Sequence, residues 1–318
     1  MFLFYIFLFL VCCFLLYYVS ERVINSLIRI ARFLGWREFV ISFFIIAFAA
    51  SIPNFFVGIS SALHKIPELS FGDIVGGNVV DLTLAIALAV LIAREIPVES
   101  RMVQISSIFT TIIAILPLLL ILDGILSRGD ALILILCFGF YIFWLFSKKE
   151  RFTKIYSESE ISIIKEFKIF IKDLGKVILG IIILLLAGEG IVKSASFFVE
   201  NLNLSLSLIG ILIIGLANAL PETYFAITSA KKGETWMILG NLMGAVIVPA
   251  TLVLGIVALI YPIEIINFSP FAIARFFLII SAFFFFFFIR TGKKITKKEA
   301  IFLLVIYIIF FLTEILTK

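Results

Sequence analysis

Ala217-Asn218-Ala219-Leu220-Pro221-Glu222 sets a proline and a carboxylate inside an otherwise apolar span, and Ala49-Ala50-Ser51-Ile52-Pro53-Asn54 sets a proline and an amide in a second one, 168 residues earlier. A proline inside a helix removes a backbone donor and clashes with the carbonyl one turn back, so each motif predicts a broken helix with freed carbonyl oxygens. Such oxygens survive at membrane depth only where they line a polar cavity or are buried in protein. The flanking residues are small or polar, which lets helices approach and leaves oxygens exposed. That combination predicts a cation site at each break.

Working outward, the same gap-free offset pairs Ser20-Glu21 with Gly188-Glu189 and Ser61-Ala62 with Ser229-Ala230. It also lays Gly72-Asp73-Ile74-Val75-Gly76 on Gly240-Asn241-Leu242-Met243-Gly244. Two prolines, four glycines and two acids coincide, so the halves are read as duplicates. The composition says what kind of duplicates. The chain is 63% hydrophobic and 15% charged, against about 45–50% and about 25% for a soluble domain. A soluble fold is excluded.

Splitting at the charged clusters predicts an all-α membrane protein of ten transmembrane helices: 2–20, 39–63, 72–93, 102–122, 131–147, 174–197, 203–230, 235–261, 270–289 and 299–316. Each apolar core is near the ~20 residues that cross a hydrocarbon layer. The expected domains are 1–147, a first five-helix repeat; 148–173, a cytoplasmic linker; and 174–318, a second five-helix repeat. An odd number of spans per copy makes the repeats inverted, an architecture typical of secondary transporters. Of the 26 Lys and Arg, 21 fall in loops on one side. The positive-inside rule makes that side cytoplasmic and both termini external. The net charge of +5 is thereby accounted for by topology, with no nucleic-acid partner. The expected setting is a prokaryotic cell membrane, and oligomeric state is not readable.

Glu222 fixes the sign of the site. An ionised carboxylate near the bilayer centre costs at least ~2.5 kcal/mol and needs a partner. Asp81 is a second acid, in the third span, and Asp73 a third, near that span's start, where capping and ion access are alternatives. No Lys or Arg lies at the centre of the proline-bearing spans, so a mobile cation is the expected neutralising partner; the alternative is that both acids are structural. Gly72, Gly76 and Gly77 predict close helix packing. Cys12, Cys13 and Cys137 read as packing residues, His64 as an interfacial residue, Glu21 and Glu189 as structural or gating groups, and Phe283 to Phe288 as lipid-facing bulk. No Gly-x-Ser-x-Gly elbow, His-Glu-x-x-His pair or phosphate-binding loop is present, so an enzyme is not expected.

With these residues in view, the chain resembles the calcium/cation antiporter superfamily, whose sodium/calcium exchangers carry two inverted repeats of a Gly-Thr-Ser-x-Pro-Glu break followed by Gly-Asn-x-x-Gly-Ser-Asn-x-x-Asn/Asp. The resemblance implies secondary active antiport with Ca²⁺ exchanged against Na⁺, or against H⁺, with no cofactor beyond the transported cations. The inorganic cations and the lipid bilayer are then its only implied partners. It implies Glu222, Asp81, Asn54, Ser51 and Asn218 as ligands, with the backbone carbonyls of Ala47 and Gly215. It also implies that the first and sixth spans slide over an eight-helix core. The sequence departs from the pattern at Asn54, Ala50, Gly77, Ala219, Ala245 and Pro249, and gains an acid at Asp81. A proton-coupled exchanger and a transport-inactive homologue are the alternatives those departures leave open.

Overall fold

A computed structural model describes residues 1–33, 38–98, 101–147, 163–202, 205–233, 235–265, 269–292 and 294–316. Among them the helices are α1 (Phe2–Phe33), α2 (Glu38–Leu63), α3 (Glu68–Ala93), α4 (Arg101–Leu120) and α5 (Arg128–Ser147) in the first half. The second half holds α6 (Ile163–Leu202), α7 (Leu206–Lys231), α8 (Thr235–Val248, continuing to Ile260), α9 (Ser269–Thr291) and α10 (Lys297–Leu316). Eight of them are long and apolar enough to cross a membrane by length and composition. Their outward faces carry bare apolar side chains, such as Leu136, Phe140 and Phe143 on α5, as a helix facing lipid requires. The chain is an all-α integral membrane protein.

The duplication is visible in the backbone. Strand β1 (Glu95–Pro97) pairs antiparallel with β4 (Lys294–Thr296), and β2 (Ile125–Leu126) pairs antiparallel with β3 (Ile263–Glu264). Adding 168 to Glu95 gives Ile263, so each ribbon is the other's counterpart under the sequence offset. One joins the α3–α4 and α9–α10 connections and the other the α4–α5 and α8–α9 connections. A second equivalence lies inside the helices. Asp81–Ala85 in α3 and Pro249–Val253 in α8 are π-helical turns, related by the same offset to the residue. The hydroxyls of Thr83 and Thr251 donate back to the carbonyls of Val79 and Ile247, so the widened turns do not leave those oxygens bare.

Several expectations need correction. α2 and α7 run helically through Pro53 and Pro221 rather than breaking there. The irregularity in α7 is a π-helical stretch, Ile209–Ile214, just before the proline-bearing segment. Of the linker, 148–162 lie outside the described residues, while 163–173 are the opening turns of the 40-residue α6. At 1.5 Å per residue that helix is about 60 Å long, roughly twice a hydrocarbon core. In the phenylalanine run, Phe283 and Phe287 face outward as expected, but Phe285 and Phe288 are buried in the core.

The apolar interior divides in two. α3, α4, α5, α8, α9 and α10, with parts of α2 and α7, share one core. α1 and α6 form another, against Phe56, Val57, Leu69, Ile209 and Ile214. These two helices lie antiparallel: Tyr5 stacks on Phe197 at one end, with ring centroids 4.0 Å apart. At the other, Arg29 grips Asp173 through Nε at 2.6 Å and Nη2 at 2.8 Å. Cys12 packs against Gly190, where a side chain would collide with its sulfur, and all three cysteines are free thiols.

Candidate functional site

α3 and α7, one from each half, cross with their backbones in contact. A Cβ on Gly210 would lie 2.6 Å from the Leu69 carbonyl oxygen, and one on Gly215 would lie 2.8 Å from that of Asp73. A Cβ on Gly76 would sit on the Ile211 carbonyl itself. Glycine alone permits this approach. It brings the polar residues of α3 at 73, 78 and 81 against those of α7 at 218 and 222.

Beside the crossing is a small cavity, roughly 210 Å³ of atom-free space counted to its open mouth, lined by Asn54, Gly77, Asn78, Asp81, Asn218, Ala219, Glu222 and Ala245. α2 supplies Asn54, α3 supplies Gly77, Asn78 and Asp81, α7 supplies Asn218, Ala219 and Glu222, and α8 supplies Ala245. Asp81 and Glu222 are each 4% exposed. Asp81 begins the π-helical turn of α3, and such bulges re-aim side chains at functional sites. Asp81 Oδ1 and Glu222 Oε2 are buried with no hydrogen-bond partner among the described residues. The ion pairs found among those residues involve neither acid. Two carboxyl groups with bare oxygens share one cavity, an arrangement that is costly for two negative charges unless a cation or protons neutralise them.

The expected residues fall into three groups. Glu222, Asp81, Asn54 and Asn218 meet in the cavity. Ser51 is buried in α2, one turn before Asn54, but is not among the lining residues. Asp73 is fully buried behind the wall, where Asn218 Nδ2 donates to both its oxygens at 3.0 Å. The Gly215 backbone packs at the same crossing, and a Cβ on Gly77 would lie 3.5 Å from its carbonyl oxygen. Ala47 lies in α2 outside the residues whose side chains are described. Asn78 lines the cavity without having been singled out, although an amide inside an apolar span three residues before Asp81 is a polar signal of the same kind.

Glu189 and His64 lie away from the cavity. Glu189 on α6 accepts from Ser60 at 3.0 Å, meets His64 Nε2 at 3.1 Å and Lys193 Nζ at 3.1 Å. This clasp ties α6 to the end of α2. Outside the spans, the bonds from Arg29, with a smaller contribution from Lys176, bring the Asp173 carboxyl down to about 2.

The donor set is two carboxylates and three amides, with no thiol or imidazole in the lining. Hard cations take oxygen ligands of this kind. Comparison with known proteins places the scaffold. The inner membrane protein YrbG of Escherichia coli (strain K12) is 25% identical over 268 residues, 82% of this chain and 80% of that protein. A structure of the sodium-calcium exchanger NCX_Mj, soaked with Na⁺ and Sr²⁺, superposes with a TM-score of 0.65 at 24% identity, covering 97% of this chain and 98% of that one. The H⁺/Ca²⁺ exchanger CAX superposes with a TM-score of 0.75 at 16% identity, covering 97% and 82%. At these identities the two structures establish the fold. The family described as sodium/calcium exchanger protein matches residues 4–147 and 173–316, nearly the whole sequence in two blocks, and the chain belongs to that family.

Proposed function

We propose that the protein is a secondary active antiporter whose cargo is a hard divalent cation, Ca²⁺ foremost, bound between α2, α3, α7 and α8. One observation carries the reading: a carboxylate from each half, each with a bare buried oxygen, opens into one cavity beside three amides. Asp81 and Glu222 are the charged ligands and balance the two charges of Ca²⁺. The side-chain oxygens of Asn54, Asn78 and Asn218 supply neutral donors toward the six to eight oxygens that Ca²⁺ takes. The Gly215 carbonyl, the Ala47 carbonyl and Ser51 are held as further ligands for the counter-ion. The chain crosses the membrane ten times with both termini outside, as two repeats, 1–147 and 174–318, about a cytoplasmic connection.

Na⁺ is the counter-ion that the family description names. A second reading, exchange against protons, is favoured by a specific feature of the cavity: Gly77, Ala219 and Ala245 in its wall carry no side-chain oxygen for Na⁺. Purified protein in liposomes decides both points. Ca²⁺ flux is expected in wild type and is lost in Glu222→Gln and Asp81→Asn. Flux driven by a Na⁺ gradient at equal pH supports the first reading, and flux driven by a pH gradient without Na⁺ the second. Unaltered flux in both variants refutes the site, and no cation flux in wild type leaves the transport-inactive homologue.

A further inference from the structure

We propose that Asp73 is a positioning residue: it turns the Asn218 amide so that its oxygen, not its NH₂ group, faces the cation cavity. This rests on the cation-site reading above and assigns a role to a buried acid that the cavity itself does not use.

Asp73 is fully buried, yet it does not line the cavity, whereas Asn218 does. Asn218 Nδ2 stands 3.0 Å from Oδ1 and 3.0 Å from Oδ2 of Asp73. Both oxygens of Asp73 take the same amide nitrogen, so the carboxyl holds the NH₂ edge of Asn218. The amide is planar, and committing its nitrogen to Asp73 sends Oδ1 the opposite way. With Asp73 behind the wall, that direction is the cavity. A flipped amide would aim two N–H groups at a bound cation, replacing an attraction with a repulsion. Asp73 has both oxygens engaged by Asn218, and its backbone is held by the Gly210 and Gly215 contacts. Groups that hydrogen-bond a metal ligand from behind set its orientation, and their removal costs about 10–100-fold in affinity.

The other half supplies an internal comparison. The offset that relates the repeats carries Asp73 to Asn241 and Asn218 to Ala50. Asn241 has a buried Nδ2 with no partner among the described residues. The held amide is therefore a device of the α3–α7 side alone.

The alternative is that the pair only ties α3 to α7. A cycle of Asp73→Ala, Asn218→Ala and the double variant separates the two, read as the half-saturating Ca²⁺ concentration and the maximal rate of flux in liposomes. Each single variant is expected to raise half-saturation about 10–100-fold with little change in maximal rate, and the double no further than either, since Asp73 acts only through Asn218. Asp73→Asn keeps the volume and one acceptor, and is expected to fall between wild type and Asp73→Ala, including where the alanine variant does not fold. Effects that multiply in the double variant overturn the proposal. So does a lowered melting midpoint in Asp73→Ala and Asp73→Asn with unchanged half-saturation. A wild type with no Ca²⁺ response overturns the cation-site reading along with this one, whereas a response indifferent to Asp73 overturns this one alone.

Discussion

Gly215→Ala tests whether the α3–α7 crossing sets the geometry of the cavity. The added Cβ would lie 2.8 Å from the Asp73 carbonyl oxygen and 2.8 Å from the Gly77 nitrogen, where ordinary contact begins at 3.4 Å. Both neighbours are backbone and cannot swing aside. The helices must therefore part by roughly 0.6 Å, and the cost of such overpacking is about 1–3 kcal/mol. Gly77 lines the cavity and Asn218 stands three residues beyond Gly215, so the displacement is delivered to the lining residues, the ligands of the proposed site. Metal sites hold their distances to about ±0.2 Å, a third of that movement. Gly139→Ala on α5 is the control, because a Cβ there meets nothing within 4 Å and the exchange favours the helix by up to about 1 kcal/mol. Thermal denaturation in detergent should show Gly215→Ala falling below wild type and Gly139→Ala level with it or above. The half-saturating Ca²⁺ concentration should rise only in Gly215→Ala. If the two variants melt together and respond to Ca²⁺ alike, the crossing does not govern the site.

Asp173→Asn should lower stability by about 1–2 kcal/mol at pH 7. That is less than the roughly 2–3 kcal/mol implied by a carboxyl moved from 3.8 to about 2, because the Arg29 and Lys176 side chains are 42% and 48% exposed and water screens them. The folded-state value lies below the unfolded one, so the contribution is complete above about pH 4 and fades as pH falls through about 2. Melting midpoints of wild type and variant should converge over that window, and a gap that widened in acid would contradict the assignment. Asp81→Asn and Glu222→Gln each remove a like charge from a cavity with no cationic side chain in its lining. Their melting without Ca²⁺ should match or exceed wild type, while the stabilisation that Ca²⁺ gives wild type, about 2.7 kcal/mol at a hundredfold excess over Kd, disappears; retention of that stabilisation in both would rule the pair out as ligands. Glu189→Gln loosens the clasp with His64, Ser60 and the largely exposed Lys193, and should cost no more than about 1 kcal/mol in the same assay. A larger loss would show that the clasp, rather than apolar packing, holds α6 to the main core.

The sequence carries the duplication openly, because proline, glycine and acid are rare enough in an apolar chain for a shared offset to stand out. Asp81, Glu222, Asn54 and Asn218 were legible for the same reason: a polar group inside a bilayer span demands an explanation. Other features depend on contacts that no local pattern encodes. The helices stay continuous at Pro53 and Pro221, since one missing donor costs a single rung while the remaining ladder and the packing persist. The extension of α6 back to Ile163 reads as polar linker because its charges mask an apolar spacing. The relation between Asp73 and Asn218 spans 145 positions and exists only because Gly76, Gly210 and Gly215 bring two backbones together.

The scaffold and its chemistry have diverged to different degrees. The ribbons and the π-helical turns of α3 and α8 remain equivalent across the halves, since they depend on backbone hydrogen bonds that many side chains satisfy. The lining does not. Asn54 faces Glu222 under the offset, Asp81 faces Pro249 and Gly77 faces Ala245. Within that drift the cavity still holds two acids, one from each half, in positions that are not equivalent. A cavity that must bind a divalent cation constrains the sum of its charges more tightly than their placement, because in a low-dielectric interior an uncompensated charge costs several kcal/mol while the cation can shift toward whichever oxygens are offered. An acid at 81 can therefore stand in for one missing at 54. The same argument makes the hydroxyl-free wall the telling departure: neutral ligands set which second ion is accepted, and Gly77, Ala219 and Ala245 leave a monovalent cation few oxygens besides those that Ca²⁺ itself would use.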